Sequence, residues 1–395
     1  MTDRGDAKIR FGVLGLGLAG GLMVPTLANH PRAVVAGAAD LDPVLRDRFR
    51  RDHAVFVCAD AAQLVSRSDI DAIYIATPHQ FHKEHAVLAA SHGKHVIIEK
   101  PMALTLADCD AMIEAAGRNR VVLIVGHTHS FDPAILRMRA LAAAGTFGAL
   151  AMIAMWNYTD FLYRPRRPEE LDTSKGGGIL FNQIPHQVDI ARLLAGAPLR
   201  SVRANAGILD PRRPTEGSCM AFLEFESGAA ATLVYSGYDH FDSDEMHSWV
   251  GSTGRGKSPK HGATRKALAQ LNGAREETAL RGSRYGYGGD AEVLRSVPAG
   301  QPHFGSLIAT YERADVKTSA QGLSVYADEG ASEIILPLAG NGRANLIDEF
   351  CDAVLKGTPP LHSGQFAKGT VEACLAIHDS ARQRREILLR PQENH

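Results

Sequence analysis

The first third of the chain alternates short apolar runs with longer segments of helical periodicity. Apolar runs of this length predict strands that are buried on both faces, as in a parallel sheet. The predicted strands cover residues 9–14, 34–39, 55–57, 72–76, 96–98 and 121–125, and the predicted helices cover 22–28, 61–66, 84–91 and 106–118. Because strands that alternate with helices are joined by right-handed crossovers, this part predicts an α/β fold with a doubly wound parallel sheet.

The pattern changes after residue 130. A predicted helix at 135–144 precedes a series of strand-like runs, at residues 150–158, 201–209, 218–225, 229–236, 307–312, 323–327 and 333–336. Strands in series predict an α+β domain with a large, mostly antiparallel open sheet, which helices at 344–356 and 366–385 complete. Since 395 residues exceed what one core usually organises, we predict two domains, 1–130 and 131–395.

Residues 251–302 interrupt the strands of the second domain. They are rich in glycine and basic residues and poor in apolar runs, apart from a short helix predicted at 266–271. We predict a long loop or insertion that becomes ordered only in part, against a partner subunit or the substrate.

A glycine motif lies between the first predicted strand and the first predicted helix. Gly15, Gly17 and Gly20 form the pattern G-x-G-x-x-G. The first glycine permits a tight turn, the second lets the backbone approach a diphosphate, and the third lets the helix pack on the strand. The amides of Leu18 and Ala19 would open the helix, where the dipole favours an anion. The motif predicts a dinucleotide-binding domain of the Rossmann type.

Asp40 ends the second predicted strand, about 20 residues past the last glycine of the motif. An acid at this position binds the ribose hydroxyls of adenosine and repels a 2′-phosphate. NAD is therefore favoured over NADP, although Arg46 is close enough in sequence to keep NADP open. The alternative without a nucleotide is a glycine-rich turn followed by a helix-capping Asp.

Polar residues follow three predicted strands, whose ends meet at the nucleotide-facing edge of a parallel sheet. They are Thr77, Pro78 and His82, then Glu99, Lys100 and Pro101, then His127 and His129. Lys100 is the most informative, because buried strands do not usually end in a charged pair. A Lys at this edge serves as a proton donor, a proton acceptor or an anion clamp. A salt bridge at the end of a strand is the alternative.

His127 and His129 form an H-x-H pair, which on a strand places both rings on one face. No Asp, Glu or Cys stands beside them at the spacing of a zinc ligand. We predict histidines that line a pocket and no metal site.

A polar stripe marks a helix predicted at residues 179–195, directly after three glycines. Asn182, His186 and Asp189 fall on one face of that helix. Upstream, Tyr163 and Arg164 begin a segment rich in Arg and Pro. The stripe predicts a substrate site. The alternative is that His186 is a core histidine whose hydrogen bonds are made by neighbouring residues.

Composition limits the partners. A net charge of −1 gives no support for nucleic-acid binding, and no segment has the length of a membrane span. Five scattered cysteines without CxxC spacing predict reduced thiols, and the charged start of the chain lacks a signal-peptide core. We therefore expect a cytoplasmic protein whose partners are small molecules.

With these motifs placed, the chain resembles the glucose-fructose oxidoreductase/inositol dehydrogenase/MocA family over nearly its whole length. The matching motifs are the glycine motif, Asp40, Thr77-Pro78 with His82, Gly93-Lys94-His95-Val96, Glu99-Lys100-Pro101, and Gly176-Gly177-Gly178 with His186 and Asp189. The resemblance implies an NAD-dependent oxidoreductase that dimerises or tetramerises through the open sheet. It also implies that Lys100 and His186 stand by the reacting alcohol and that the Lys-Pro peptide is often cis.

The chain departs from the family pattern around the substrate. Asn182 stands where the family usually has Asp, so the acid/base role shifts toward Lys100 and His186. His79 and the segment His127-Thr128-His129-Ser130 also differ from the usual residues. Three segments are similar to the phthalate 4,5-cis-dihydrodiol dehydrogenase subgroup, namely 127–131, 182–187 and 301–305.

The sequence thus predicts an enzyme that oxidises a cyclic cis-diol with NAD. The expected substrate is a carboxylated dihydrodiol of the 4,5-dihydro-4,5-dihydroxyphthalate type, which becomes a catechol. Arg164, Tyr163, His129 and His127 are the predicted substrate residues, with Lys100, His186 and Asn182 as the catalytic group. The cofactor residues are those of the glycine motif, Asp40, Thr77, Pro78, His82, Glu99 and Lys100. A sugar or cyclitol dehydrogenase and a non-catalytic, nucleotide-sensing regulator are the alternatives.

Overall fold

The structure, a computed structural model, describes residues 7–289, 298–338 and 342–389. The chain divides into two compact units. Among the described residues, the first comprises 7–127, 282–289 and 343–371, and the second comprises 128–281, 298–338, 342 and 372–389. The first unit therefore takes in two segments from far along the chain.

The first unit contains a parallel sheet. Its strands, within the described residues, are β1 (Ile9–Leu14), β2 (Ala33–Ala39), β3 (Phe56–Cys58), β4 (Ala72–Ile75), β5 (His95–Glu99) and β6 (Leu123–Gly126). Their order is β3-β2-β1-β4-β5-β6, and every pair is parallel. This arrangement confirms the predicted doubly wound sheet, and it brings the carboxyl ends of β4, β5 and β6 side by side.

Within the described residues, five α-helices accompany these strands along the chain: α1 (Leu18–Asn29), α2 (Pro43–Asp52), α3 (Ala61–Val65), α4 (His82–Ser91) and α5 (Leu106–Asn119). Local sequence explains where two of them begin. The Asp42 carboxylate accepts a hydrogen bond from the Val44 amide at 2.8 Å, and Pro43 opens the first turn of α2. Thr105 caps α5 by accepting from the Asp108 amide at 3.1 Å.

The second unit contains a large mixed sheet. Its strands, within the described residues, are β7 (Leu150–Tyr158), β8 (Leu199–Gly207), β9 (Ser218–Phe225), β10 (Ala230–Ser236), β11 (Ser306–Tyr311), β12 (Ala314–Thr318), β13 (Gly322–Ala327), β14 (Gly330–Ile335) and β15 (Ile387–Leu388). The order is β14-β13-β12-β11-β7-β10-β9-β8-β15. β7 and β10 pair in parallel and the other described pairs are antiparallel. The prediction of a mostly antiparallel sheet is confirmed.

The other α-helices in the described ranges are α6 (Pro133–Ala143), α7 (Gly178–Asn182), α8 (Ile184–Ala195), α9 (Ala263–Leu268), α10 (Ala274–Arg284), α11 (Gly342–Lys356) and α12 (Gly364–Gln383). Helix α8 is buried from Ile184 to Leu194 and packs on β10 and β7. Among the helices described, none is both long and apolar enough to cross a membrane.

Two sequence predictions are wrong at the level of elements. The helix expected at 179–195 is broken at Gln183 into α7 and α8, because Pro185 in the first turn of α8 cannot continue a helix from the preceding residues. The 251–302 segment, expected as a loop with one short helix, contains both α9 and α10 in its described part.

Candidate active site

The glycine motif forms a tight loop between β1 and α1 in the first unit. Gly15 has φ +99°, and a Cβ there would lie 2.7 Å from the Ala76 carbonyl oxygen. A Cβ on Gly20 would lie 2.0 Å from the Gly15 oxygen, so α1 packs close only with glycine at that position. A Cβ on Gly17 would meet no protein atom within 4 Å. The first and third glycines are therefore required by packing, whereas the second leaves open space.

That open space borders the first turn of α1. Gly17 is the N-cap residue and provides no side-chain cap, so the amides of Leu18 and Ala19 are suited to an anion. Asp40 follows β2, and its Oδ2 accepts a hydrogen bond from the Leu16 amide at 2.6 Å. Space for a diphosphate at Gly17 and a carboxylate beside the same loop fit a dinucleotide.

Arg46, which left NADP open at the level of sequence, faces the backbone. Its Nη1 donates to the carbonyl oxygens of Asp40 and Leu41, at 2.8 Å each. These bonds hold the turn after β2.

Lys100 directly follows β5 at the edge of the parallel sheet, between the ends of β4 and β6. It is half-buried, and its peptide bond to Pro101 is cis. The neighbouring Glu99 accepts a hydrogen bond from the hydroxyl of Tyr74, a buried residue of β4. Burial, together with the Glu99 charge, raises the pKa of Tyr74, so the tyrosine is a neutral donor.

His82 joins two of these strand ends. Its ring is fully buried, with Nδ1 3.0 Å from the Pro101 oxygen and Nε2 2.9 Å from the Thr77 oxygen. Burial lowers the pKa of His82, although the contacts with the Thr77 and Pro101 oxygens act in the opposite direction. Thr77 also contacts His85 Nδ1 through its hydroxyl, at 3.0 Å, and Pro78 follows it with φ −57°. His82 thus fixes the turns that bear Thr77, Pro78 and Lys100.

A cluster of rings surrounds His186 in the second unit. His186 lies in the first turns of α8 and is 7% exposed. The His129 ring meets it edge-on at 4.9 Å between centroids. Phe304 packs against both, at 4.6 Å from His186 and 4.8 Å from His129. We call His129, His186 and Phe304 the ring cluster.

Two carboxylates hold the ring cluster in place. Asp132, which is 3% exposed, contacts His129 Nδ1 through Oδ2 at 2.8 Å. Ser130 donates a hydrogen bond to Asp189, a fully buried residue of α8. The segment that bears His129 is therefore attached to the helix that bears His186.

Tyr235 forms a second polar group beside Phe304, with ring centroids 6.1 Å apart. Its hydroxyl donates to Gln183 Oε1 at 3.0 Å and lies 2.8 Å from Thr159 Oγ1. Burial raises the pKa of Tyr235, so this hydroxyl stays protonated.

Four residues of this site were not predicted from the sequence as site residues, namely Asp132, Phe304, Gln183 and Tyr235. The spacing of three residues from His129 to Asp132 was one local signal, and the segments 182–187 and 301–305, which resemble the dihydrodiol dehydrogenase subgroup, contain Gln183 and Phe304.

Asn182 is occupied by backbone contacts. Its Nδ2 donates to the carbonyl oxygens of Gly176 and Gly178, at 2.8 Å each. An Asp could not donate these two bonds, which gives a physical reason for Asn at this position. The structure places Asn182 at the end of α7, off the face of α8 that bears His186.

Tyr163 and Arg164 are both engaged within the second unit. Tyr163 is 3% exposed and donates to Asp210 Oδ2 at 2.7 Å, and burial together with Asp210 raises its pKa to about 12. Arg164 Nε donates to Asp160 Oδ1 at 2.7 Å, and the Arg164 side chain is 39% exposed. Although burial raises the pKa of Asp160, Arg164 and Lys257 lower it to about 2.

The two histidines of the H-x-H pair belong to different units. His127 is fully buried at the end of β6 in the first unit, and His129 belongs to the second. Within the ranges that the structure describes, no group of three or more His, Cys, Asp or Glu side chains could hold a metal ion.

Comparison with family models gives two matches. Residues 9–127 match the oxidoreductase family with an NAD-binding Rossmann fold, GFO_IDH_MocA. Residues 135–255 match the GFO/IDH/MocA C-terminal domain.

Individual relatives agree with these matches. The chain is 40% identical over 373 residues to the 1-carboxy-3-chloro-3,4-dihydroxycyclohexa-1,5-diene dehydrogenase of Comamonas testosteroni, covering 93% of this chain and 94% of that protein. It is 27% identical to the myo-inositol 2-dehydrogenase of Thermotoga maritima, over 71% of this chain and 82% of that protein. A solved structure named as a dehydrogenase from Bordetella bronchiseptica aligns with a TM-score of 0.92 and 47% identity, over 97% of this chain and 100% of that one.

These matches confirm the predictions of an oxidoreductase and of NAD as its cofactor. They also confirm the resemblance on which the sequence analysis relied. The chain belongs to the GFO/IDH/MocA family of oxidoreductases with an NAD-binding Rossmann fold.

Proposed function

We propose that the protein oxidises a carboxylated cyclic cis-diol, a dihydrodiol, to the corresponding catechol with NAD. The observation that carries this proposal is the 40% identity, over 93% of the chain, to a dehydrogenase whose named substrate is a carboxylated dihydroxycyclohexadiene. The ring cluster supports it, since a planar ring packs well against aromatic side chains.

The glycine loop and Asp40 hold the dinucleotide, which supplies the hydride acceptor when bound. The hydroxyl proton of the substrate is taken by Lys100 or His186. His186 is suited to this because Phe304 and His129 fix the orientation of its ring. The carbinol hydrogen is transferred with its electron pair, as a hydride, to the dinucleotide when it is bound, while the O–H electron pair forms the C=O bond and the proton moves to the base. The resulting ketone tautomerises to a catechol, and aromatisation draws the reaction forward.

Asn182 has a supporting part in this proposal. Its two bonds to Gly176 and Gly178 fix the end of α7 directly before Gln183 and the start of α8. It therefore orients the helix that bears His186 and is not itself the base.

Arg164 is the residue that we assign to the substrate carboxylate. Its guanidinium is a planar fork of donors that suits a carboxylate, and its side chain is 39% exposed. Arg164→Gln should raise KM for a carboxylated diol and leave KM for an uncharged diol unchanged. Arg167→Gln is the matched control, because Arg167 lies in the same segment and its Nε contacts Glu169 and Glu170. Equal effects of the two substitutions would remove Arg164 from this role.

A second copy of the chain is the partner that we propose for the open sheet. One face of β7, β10 and β9 presents Met152, Met220 and Phe222, which are 47–64% exposed, and the registers place them on the same side. Light scattering should report a dimer or a larger assembly, and the pair Met220→Lys and Phe222→Lys should reduce it to monomers. A wild-type monomer would contradict this assignment.

A substrate panel followed at the NADH absorbance tests the proposed function. The expected result is rapid NADH formation with carboxylated cis-dihydrodiols and little with myo-inositol or sugars. Preference for neutral polyols would favour a cyclitol dehydrogenase, which the relative from Thermotoga maritima represents. Tight NAD binding without turnover on any member would favour a nucleotide-sensing regulator.

A further inference from the structure

The segment that follows α10 packs against the glycine loop of the first unit. The Tyr287 amide donates to the carbonyl oxygen of Leu16 at 2.8 Å. Gly286 and Tyr287 are buried, although they lie in the glycine-rich stretch that the sequence predicted as a loop. We call residues 285–289 the strap.

Helix α2 anchors the strap through Tyr287. The Tyr287 ring meets Phe49 at 4.9 Å between centroids with an interplanar angle of 62°. Its hydroxyl lies 2.9 Å from His53 Nε2, and its carbonyl oxygen accepts from Arg48 Nη1 at 2.9 Å. Burial, with the Asp52 carboxylate, raises the pKa of Tyr287 to about 12, so this anchor is neutral.

Helix α1 is shaped to receive the strap. A Cβ on Gly21 would lie 3.1 Å from the Tyr287 nitrogen and 3.2 Å from the Gly286 carbonyl carbon. On the other side, a Cβ on Gly288 would lie 2.5 Å from Arg48 Cδ. The strap therefore lies in contact with α1 and α2, with glycines at the closest points.

The strap completes the support of Leu16, the residue between the first two glycines of the motif. Its amide is held by Asp40 Oδ2 at 2.6 Å, and its carbonyl oxygen is held by the Tyr287 amide. The two peptide planes that flank Leu16 are thus both fixed. The second of these planes bears the Gly17 amide, and the next residue opens α1.

We propose that Tyr287 is a positioning residue of the NAD site. It anchors a strap that holds the diphosphate-binding loop in its binding conformation before the dinucleotide arrives. When the loop is already ordered, NAD binding does not have to supply the free energy of ordering it. The strap therefore raises the affinity for NAD without touching the reacting atoms. This role concerns cofactor affinity alone and does not depend on the identity of the substrate.

Calorimetry with two Tyr287 variants tests the proposal. Tyr287→Ala should lower the affinity for NAD and for ADP-ribose about tenfold, because both ligands bind through the diphosphate. Tyr287→Phe keeps the ring against Phe49 and should bind within about twofold of wild type. Turnover at saturating NAD should be unchanged in both variants, whereas KM for NAD should rise in the Ala variant. A folded Ala variant with wild-type affinity for NAD would overturn the proposal.

A second pair of variants keeps Tyr287 intact. Gly21→Leu should displace the strap, since its Cβ alone would crowd Tyr287 and Gly286. Gly117→Leu is the matched control in α5, where a Cβ meets nothing within 4 Å. Amide hydrogen exchange at residues 15–19 of the ligand-free protein should quicken, and NAD affinity should fall, in Gly21→Leu alone. Faster exchange without loss of affinity, or loss of affinity without faster exchange, would overturn the proposed role.

Discussion

The glycine loop and the ring cluster are built in opposite ways. The loop consists of neighbouring residues, and its backbone offers space and amides to the ligand. The ring cluster brings together His129, His186 and Phe304, which are far apart in sequence, and it offers side chains. A cofactor shared by a whole family suits a backbone site, because amides are independent of side-chain identity. A substrate particular to one subgroup requires side chains that can change.

The largest expected effect is on kcat, in a variant of Lys100 that should still bind the cofactor. Lys100→Ala should lower kcat about a thousandfold, because it removes a group that we assign to proton transfer. NAD affinity, measured by calorimetry, should stay within about threefold of wild type, since the glycine loop and Asp40 are unchanged. Turnover within tenfold of wild type would remove Lys100 from the chemistry.

The two helix-side glycines of the loop should respond differently to the same substitution. Gly20→Ala places a Cβ 2.0 Å from the Gly15 oxygen. This substitution should lower the free energy of unfolding by about 3 kcal/mol and should also lower the affinity for NAD.

Gly17→Ala is the matched variant, because its Cβ meets no protein atom within 4 Å. Its unfolding free energy should match wild type while NAD affinity falls about tenfold, since the methyl group occupies space meant for the diphosphate. Thermal unfolding and calorimetry on both proteins distinguish the outcomes. Equal NAD affinity of Gly17→Ala and wild type would contradict a diphosphate site there.

The turn that bears Phe304 should depend on pH. His303 accepts from the Gly305 amide at 3.0 Å through Nδ1, and its Nε2 lies 2.7 Å from the Val250 oxygen, which requires a neutral ring that donates there. Burial lowers the pKa of His303 from 6.5 to about 4. His303 contributes fully to the unfolding free energy above pH 6.5. This contribution is lost as the pH falls toward 4, because His303 is protonated at a higher pH in the unfolded chain than in the folded protein.

Denaturant unfolding at several pH values checks this expectation. The unfolding free energy should fall by about 3 kcal/mol over that range in wild type, beyond the fall in His303→Gln. Parallel pH profiles of the two proteins would show that His303 has no such role.

The smallest effect concerns the carboxylate beside His129. Asp132→Asn should lower kcat/KM about fivefold, because His129 loses a charged partner that orients its ring. His129→Ala should have at least this effect, and the double variant should resemble His129→Ala. Additive losses would mean that Asp132 acts through another group.

The sequence predicted what is local and missed what depends on distant packing. The glycine loop and Asp40 form a pattern with a known backbone purpose, so spacing alone revealed them. Helix α10 was missed because it has no buried residues, and an exposed helix shows no apolar stripe. Phe304 lies in a segment that resembles the dihydrodiol dehydrogenase subgroup, but its contacts, like those of Tyr287, were not predicted because they join segments that are far apart in the chain. The break at Gln183 was missed because the apolar residues continue across it, although Pro185 was visible.

Our central proposal is that the glycine loop and Asp40 bind NAD, whereas Lys100 and the ring cluster perform the substrate chemistry. His186→Ala, with NAD affinity and turnover measured on the same preparation, tests this claim most directly. We expect unchanged NAD affinity and a fall in kcat of at least about a hundredfold with a carboxylated cis-dihydrodiol. Turnover equal to wild type would contradict it.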